Sequence, residues 1–295
     1  MEWTKLVIET SNEASEAVIN ILMENNAGGV QIDDTNGAND VEIITYFPDK
    51  INIIEKIPEL EEKIKSLSKY GLNPGKAVVK VSDVDDESWR DVWKKYYHPI
   101  RVTRYLTIVP SWEDYVPEDK LENVIRLDPG RAFGTGKHPT TSLALLALEK
   151  TIRGNESIID VGTGSGVLSI AAKYLGAGKV DAYDIDNEAI KATKENLALN
   201  LVAKDVNVKV NNLLDGINEK KDLIVANILA EIIIPLIPQA KNNLVKGGKF
   251  ITSGIISNKK DIVIKNLLSN GFIIDDILNE KDWYSIIAHV PMAGE

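Results

Sequence analysis

From Thr140 onward the chain alternates short apolar runs with amphipathic ones, and this pattern limits its fold more than any other feature. The run TTSLALLALEKTI has helical spacing and leads to the strand SIIDVG, the helix GVLSIAAKYLG and the strand KVDAYDID. The helix NEAIKATKENLALN, the strands VNVKVNN and DLIVANIL, the helix EIIIPLIPQAKNNL, the strand GKFITSGI and the helix KKDIVIKNLLSNG follow. A strand pair, FIIDDILNE and WYSIIAHVP, closes the chain. Strand–helix alternation of this kind predicts a parallel sheet covered on both faces. Such sheets bind ligands beyond the carboxyl ends of their strands.

The first third follows a different order, β-α-β-β-α-β. TKLVIET alternates as a strand, and SEAVINILMENNA is a helix on which Ala17, Ile21 and Met23 follow one another before Gly28 and Gly29 stop it. GVQIDD and VEIITYF are strands. INIIEKIPELEEKIKSLSKYG is an amphipathic helix with Pro58 near its start, and KAVVKVSDV is the last strand. This order predicts a ferredoxin-like α/β sandwich. Residues 1–88 are therefore expected to form one domain. Residues 89–120 form an aromatic-rich joint holding Trp89, Trp93 and Trp112, and residues 121–295 form a second domain. The aromatic stripe of the joint reads as packing between lobes.

Charge separates the two parts. The net charge is −10, and residues 1–88 carry 18 acidic and 8 basic side chains, so the whole excess lies in the first domain. A one-signed surface speeds encounter with a partner of the opposite sign, and it repels a bare nucleic-acid duplex. There is no cysteine, which excludes disulfides, a cysteine nucleophile and thiolate metal sites. His98, His138 and His289 are far apart, so no metal site is expected. No apolar run reaches the roughly 18 residues of a membrane span, and the start lacks a signal-peptide layout. A cytoplasmic monomer is expected.

Two glycine-rich runs compete for the role of ligand cradle. In DPGRAFGTGKHPTT, a phosphate loop would need glycine where Arg131 stands and a hydroxyl where His138 stands. The run also precedes a helix leading into the sheet, so an ATP cradle is rejected. In IIDVGTGSGVL, an apolar strand runs into a helix through Gly162, Gly164 and Gly166. Glycines let a backbone turn tightly and approach a ligand closely, and the helix N-terminus favours an anionic group. A dinucleotide fingerprint would place its third small residue at Val167, one position later than the third glycine here. Asp160, two residues before the first glycine, suits a ligand with positive charge, such as the ammonium and sulfonium of S-adenosylmethionine.

Two further strand ends carry polar groups. Asp184 lies 22 residues beyond Gly162, where an acidic side chain can bind ribose hydroxyls. Asn227, in VANILA, ends the fourth core strand. It reads either as an N-cap for the following helix or as a ligand-facing amide.

Together, DPGRAFGTGKHPTTSL, IIDVGTGSGVLSIAAKYLGA, AYDIDNEAI, VANILA and the preceding SWRDVWKKYYHPIRV resemble the ribosomal protein L11 methyltransferase family. This family belongs to the class I S-adenosylmethionine-dependent methyltransferases. The resemblance covers nearly the whole chain. It implies a Rossmann-like seven-stranded methyltransferase domain after the ferredoxin-like one, and S-adenosylmethionine as cofactor. It implies a cofactor site that includes Thr141, Gly162, Asp184 and Asn227, to which the glycine-loop reading adds Asp160 and Gly164. Asn227 is then also the catalytic residue. The implied substrate is ribosomal protein L11, free or on the ribosome, methylated at lysine ε-amines and an N-terminal α-amine and gripped by the first domain. Lys137 is given no role. Methyltransferases acting on nucleic-acid amines carry two prolines and an aromatic ring after this asparagine, to stack on a flipped base. Here Ile228, Leu229 and Ala230 follow.

Overall fold

The computed structural model describes residues 3–25, 27, 30–33, 40–48, 53–83, 98–128, 138–292 and 294. The chain divides into two compact units, Met1–Tyr96 and Tyr97–Glu295. Gly28, Gly29, Trp89, Trp93, Tyr96 and Tyr97, and residues 129–137 with their FGTGK run, lie outside the described residues.

The first unit holds β1 (Trp3–Ser11), α1 (Ser15–Glu24), β2 (Val30–Asp33), β3 (Asp40–Pro48), α2 (Ile53–Ser66) and β4 (Val78–Asp83). Its sheet has the order β2-β3-β1-β4, and every neighbouring pair is antiparallel. This is the ferredoxin-like arrangement. Strand alternation sends Leu6, Ile8, Ile43 and Phe47 into one core, where they meet Val18 and Leu22 of α1 and Leu60 and Ile64 of α2. The helix phase thus differs from the expected one. α1 buries Val18 and Leu22, whereas Met23 is 52% exposed. Spacing alone leaves the rotation of a short apolar helix open, and the inner row of β1 sets it. α1 also ends before the two glycines, at Glu24, where the Asn25 side-chain amide donates to the Ile21 carbonyl at 2.8 Å. Pro58 lies within α2.

The second unit opens with a small sheet of β5 (Ile100–Arg101), β6 (Leu106–Pro110) and β7 (Asn123–Leu127). Then come α3 (Pro139–Thr151), β8 (Ile158–Val161), α4 (Val167–Tyr174), β9 (Val180–Asp184), α5 (Asn187–Ala198) and β10 (Asn207–Val210). β11 (Lys221–Asn227), α6 (Ala230–Asn242), β12 (Leu244–Ile256), α7 (Ser257–Ser269), β13 (Ile273–Glu280) and β14 (Trp283–His289) complete it.

The seven-stranded sheet has the order β10-β9-β8-β11-β12-β14-β13, parallel except for β14. The fold is therefore Rossmann-like, as expected. Consecutive residues serve opposite cores. Ile158, Val225, Ile251 and Ile287 face α3 and α4, while Ile159, Ile224, Phe250 and Ile286 face α6 and α7. Burial on both faces explains why these strands read as continuous apolar runs. Trp283 opens β14, which lies between β12 and β13. Its ring meets His138 edge-on, with centroids 4.8 Å apart. The strand order reverses between β8 and β11, which opens a crevice at their carboxyl ends.

Candidate active site

That crevice is a cavity of about 430 Å³, within the usual range of small-ligand sites. Residues 161–164 with Val167 and Leu168 line one side, and Asp184 and Ile185 the next. Residues 211–213 and then residues 227–229 with Ile232 complete the lining. Every group comes from the carboxyl end of a strand or the turn or helix that follows it.

The glycine loop is a forced conformation. Gly162, Gly164 and Gly166 have φ of +73°, +55° and +82°, a region that disfavours side chains. A Cβ on Gly162 would also lie 2.4 Å from the Ile228 Cγ2. The loop is tied to β9, since the Gly162 and Thr163 amides donate to the Tyr183 carbonyl at 2.8 and 3.0 Å.

Asp184 borders the cavity from the end of β9. Its carboxylate accepts the Gly164 amide at 2.9 Å and the Asp186 amide at 3.0 Å. It therefore braces the loop and still has acceptor capacity toward a ligand.

Asp160 lies beneath the loop, fully buried and outside the cavity lining. One of its oxygens accepts the Thr163 and Ser169 hydroxyls at 2.8 and 2.7 Å, and the other has no partner among the described residues. Burial pushes its carboxyl up to about 6, against the pull of those hydroxyls.

Asn227 reaches the cavity from β11. Its side-chain amide donates to the Thr141 hydroxyl at 3.4 Å, and its buried Oδ1 has no partner among the described residues. The N-cap of α6 is Leu229, with no side-chain cap bond, so the capping alternative for Asn227 does not hold. Thr141 is fully buried in the first turn of α3 and does not line the cavity. The His138 side chain caps that turn, and the Ser253 hydroxyl binds the Thr140 carbonyl at 2.7 Å. Asn227 and Ser253 are paired positions on β11 and β12.

The structure thus gathers Gly162, Gly164, Asp184 and Asn227 around one cavity, and sets Thr141 and Asp160 directly behind it. Sequence reasoning passed over residues 211–213, Ile185 and the apolar rim of Leu229 and Ile232. Asn211 and Asn212 follow β10 as Asp184 ends β9, so the strand-end rule could have found them. Leu213 carried no such signal. It lines the cavity with φ of +49°, rare for a leucine. The Asn211 side-chain amide, donating to its carbonyl at 2.9 Å, supports it there.

S-adenosylmethionine fits these groups. Asp184 and Asn227 bring acceptors to the cavity that suit a ligand rich in donors and positive charge, and the apolar walls suit its nucleoside. The fold and site are those of an S-adenosylmethionine-dependent methyltransferase. The chain matches the model of the family described as "Ribosomal protein L11 methyltransferase (PrmA)" over residues 2–290. It is 54% identical to the ribosomal protein L11 methyltransferase of Limosilactobacillus reuteri and 48% identical to that of Enterococcus faecalis, over 99% of each chain in both pairs. The crystal structure of a ribosomal protein L11 methylase from Lactobacillus delbrueckii subsp. bulgaricus matches with a TM-score of 0.64 and 44% identity, over 66% of this chain and all of that one. The chain belongs to the ribosomal protein L11 methyltransferase family.

Proposed function

We propose that this enzyme methylates lysine ε-amines and the N-terminal α-amine of ribosomal protein L11, with Asn227 as the residue that aims the amine. The unpartnered, buried Oδ1 of Asn227 at the cavity carries this reading. When bound, S-adenosylmethionine supplies a methyl group on a sulfonium, already a good leaving group. Gly162, Gly164 and Asp184 hold the cofactor, with Asp160 and Thr141 supporting the site from behind.

The remaining task is positioning. Asn227 Oδ1 accepts an N–H of the incoming amine and turns its lone pair toward the methyl carbon. Seating the amine against the apolar side chains of Ile228, Leu229 and Ile232 strips part of its water, which lowers its pKa and favours the neutral, nucleophilic form. The nitrogen gains the methyl and later gives up a proton to water, so no strong base is required. With no ring after Asn227, the site favours a flexible aliphatic amine over a stacked base.

Residues 1–88, with their acidic excess, are assigned to recognition of the basic client, residues 89–120 to the joint and residues 121–295 to catalysis. The enzyme acts as a monomer in the cytoplasm, on L11 free or on the ribosome. Among the described residues no helix is long and apolar enough to cross a membrane.

The test is mass spectrometry of L11 after incubation with the enzyme and S-adenosylmethionine, with ribosomal RNA in a parallel tube. Mass gains in one-methyl steps on the protein, lost in Asn227→Ala, are expected. Methyl on the RNA alone would overturn the reading.

A further inference from the structure

α5 lines no part of the cavity, yet two of its side chains are buried against the glycine loop. Thr193 and Asn196 are three residues apart and so share one face of the helix. The Thr193 hydroxyl donates to the Gly164 carbonyl at 2.8 Å. The Asn196 side-chain amide donates to the Ser165 carbonyl at 2.8 Å, and its oxygen accepts the Asp128 amide at 2.7 Å. Asn196 therefore spans two distant segments, the glycine loop and the end of the β7 strand region.

These contacts fix consecutive peptide planes. The Gly164 amide is held by Asp184, the Gly164 carbonyl by Thr193 and the Ser165 carbonyl by Asn196. The Gly166 amide closes the turn on the Thr163 carbonyl at 2.8 Å. Peptide planarity means that holding a carbonyl also sets the direction of the next N–H. A run of glycines at positive φ is otherwise the freest stretch of a chain. The absent side chain at Gly166 is part of the same fit, because a Cβ there would lie 2.9 Å from the Thr193 methyl.

We propose that Thr193 and Asn196 are positioning residues that hold the glycine loop in its cofactor-binding shape before the cofactor arrives. The ordering cost of the loop is then met in folding and not in binding, which raises affinity without a direct contact. The inference rests on the assignment of this cavity to S-adenosylmethionine.

The test compares Thr193→Val, Asn196→Leu, Thr193→Ser and Asp184→Ala in the full chain. The dissociation constant for S-adenosylmethionine is measured by calorimetry, and kcat at saturating cofactor is measured separately. Thr193→Val and Asn196→Leu should each weaken binding by about ten-fold, as expected for loss of the one buried hydrogen bond each side chain makes to the glycine loop, with kcat within about three-fold of the parent. Thr193→Ser keeps the hydroxyl and should bind as the parent does. Unchanged affinity in folded Thr193→Val would overturn the inference, as would a fall in kcat with affinity intact. If Asn196→Leu does not fold, the Thr193 pair decides. Asp184→Ala separates the two levels. Weaker binding there with normal binding in Thr193→Val removes only this inference, whereas normal binding in Asp184→Ala removes the cavity assignment itself.

Discussion

The Asn227 side-chain amide donates to the Thr141 hydroxyl across 3.4 Å, and the buried Asn227 carbonyl oxygen has no partner among the described residues. One end of the amide is committed to the protein, and the proposed function gives the other to the incoming amine. Asn227→Ala should therefore lower kcat by about 10²–10³-fold, the cost typical of losing one preorganised polar group. Its melting temperature should barely change, since Asn227 caps no helix. Steady-state kinetics and thermal denaturation on the same preparation check this. An equal loss of both would return Asn227 to a structural role.

Gly162→Ala meets two obstacles at once, a positive φ and the Ile228 side chain 2.4 Å from the new Cβ. A destabilisation of about 1–3 kcal/mol is expected from the backbone term alone, with loss of cofactor binding. Adding Ile228→Ala should relieve the clash but not the φ strain, so recovery should be partial. Denaturant melts of the single and double variants measure this. Full recovery would show that the backbone was never strained.

Asp160 carries a pH signature of known sign. Its folded-state value of about 6 lies above the ordinary 3.8, so the fold favours the protonated carboxyl. The stability it contributes is present below about pH 4 and is lost as pH rises through about 6. The loss is roughly 3 kcal/mol at most, from about 1.4 kcal/mol per pH unit. Asp160→Asn should flatten the stability profile over this window and melt higher at pH 8. It should also bind S-adenosylmethionine less tightly, because a negative charge behind a cationic ligand is gone. A profile parallel to that of the parent would exclude Asp160 as the source.

Glu122 gives the opposite sign. It accepts the Thr107 and Tyr115 hydroxyls and, at 2.6 Å, the Glu118 amide, which hold its carboxyl down at about 2. Its contribution is present above the ordinary value of 4.5 and is lost as pH falls toward 2. Glu122→Gln should lose stability at neutral pH by about 1–3 kcal/mol, because one buried donor is left facing another. Its acid unfolding between pH 4.5 and 2 should be less steep. Circular dichroism across that range would reveal the difference.

The acidic excess in residues 1–88 predicts a salt effect on the protein substrate alone. Raising ionic strength should lower kcat/KM for L11, because screening shortens the reach of the field. The KM for S-adenosylmethionine, bound in a largely apolar cavity, should hardly move. Equal salt sensitivity of both constants would argue against steering by the first domain.

The sequence by itself determined the element order of the first unit and of the chain from Thr140 onward, and the strand ends at which Gly162, Asp184 and Asn227 stand. These features are local. Periodicity separates strand from helix, glycines mark a forced turn, and the open-sheet rule says which strand ends matter. Only the tertiary structure decided which face of α1 is buried, because rotation about a short helix depends on the neighbouring sheet. It alone placed Thr141 and Asp160 behind the cavity and not in its lining. It also showed Leu213 in the wall and Asn196 bridging Asp128 to Ser165. A hydrogen bond between groups far apart along the chain leaves no periodic trace in sequence. It exists only once packing has brought its donor and acceptor within about 3 Å of each other.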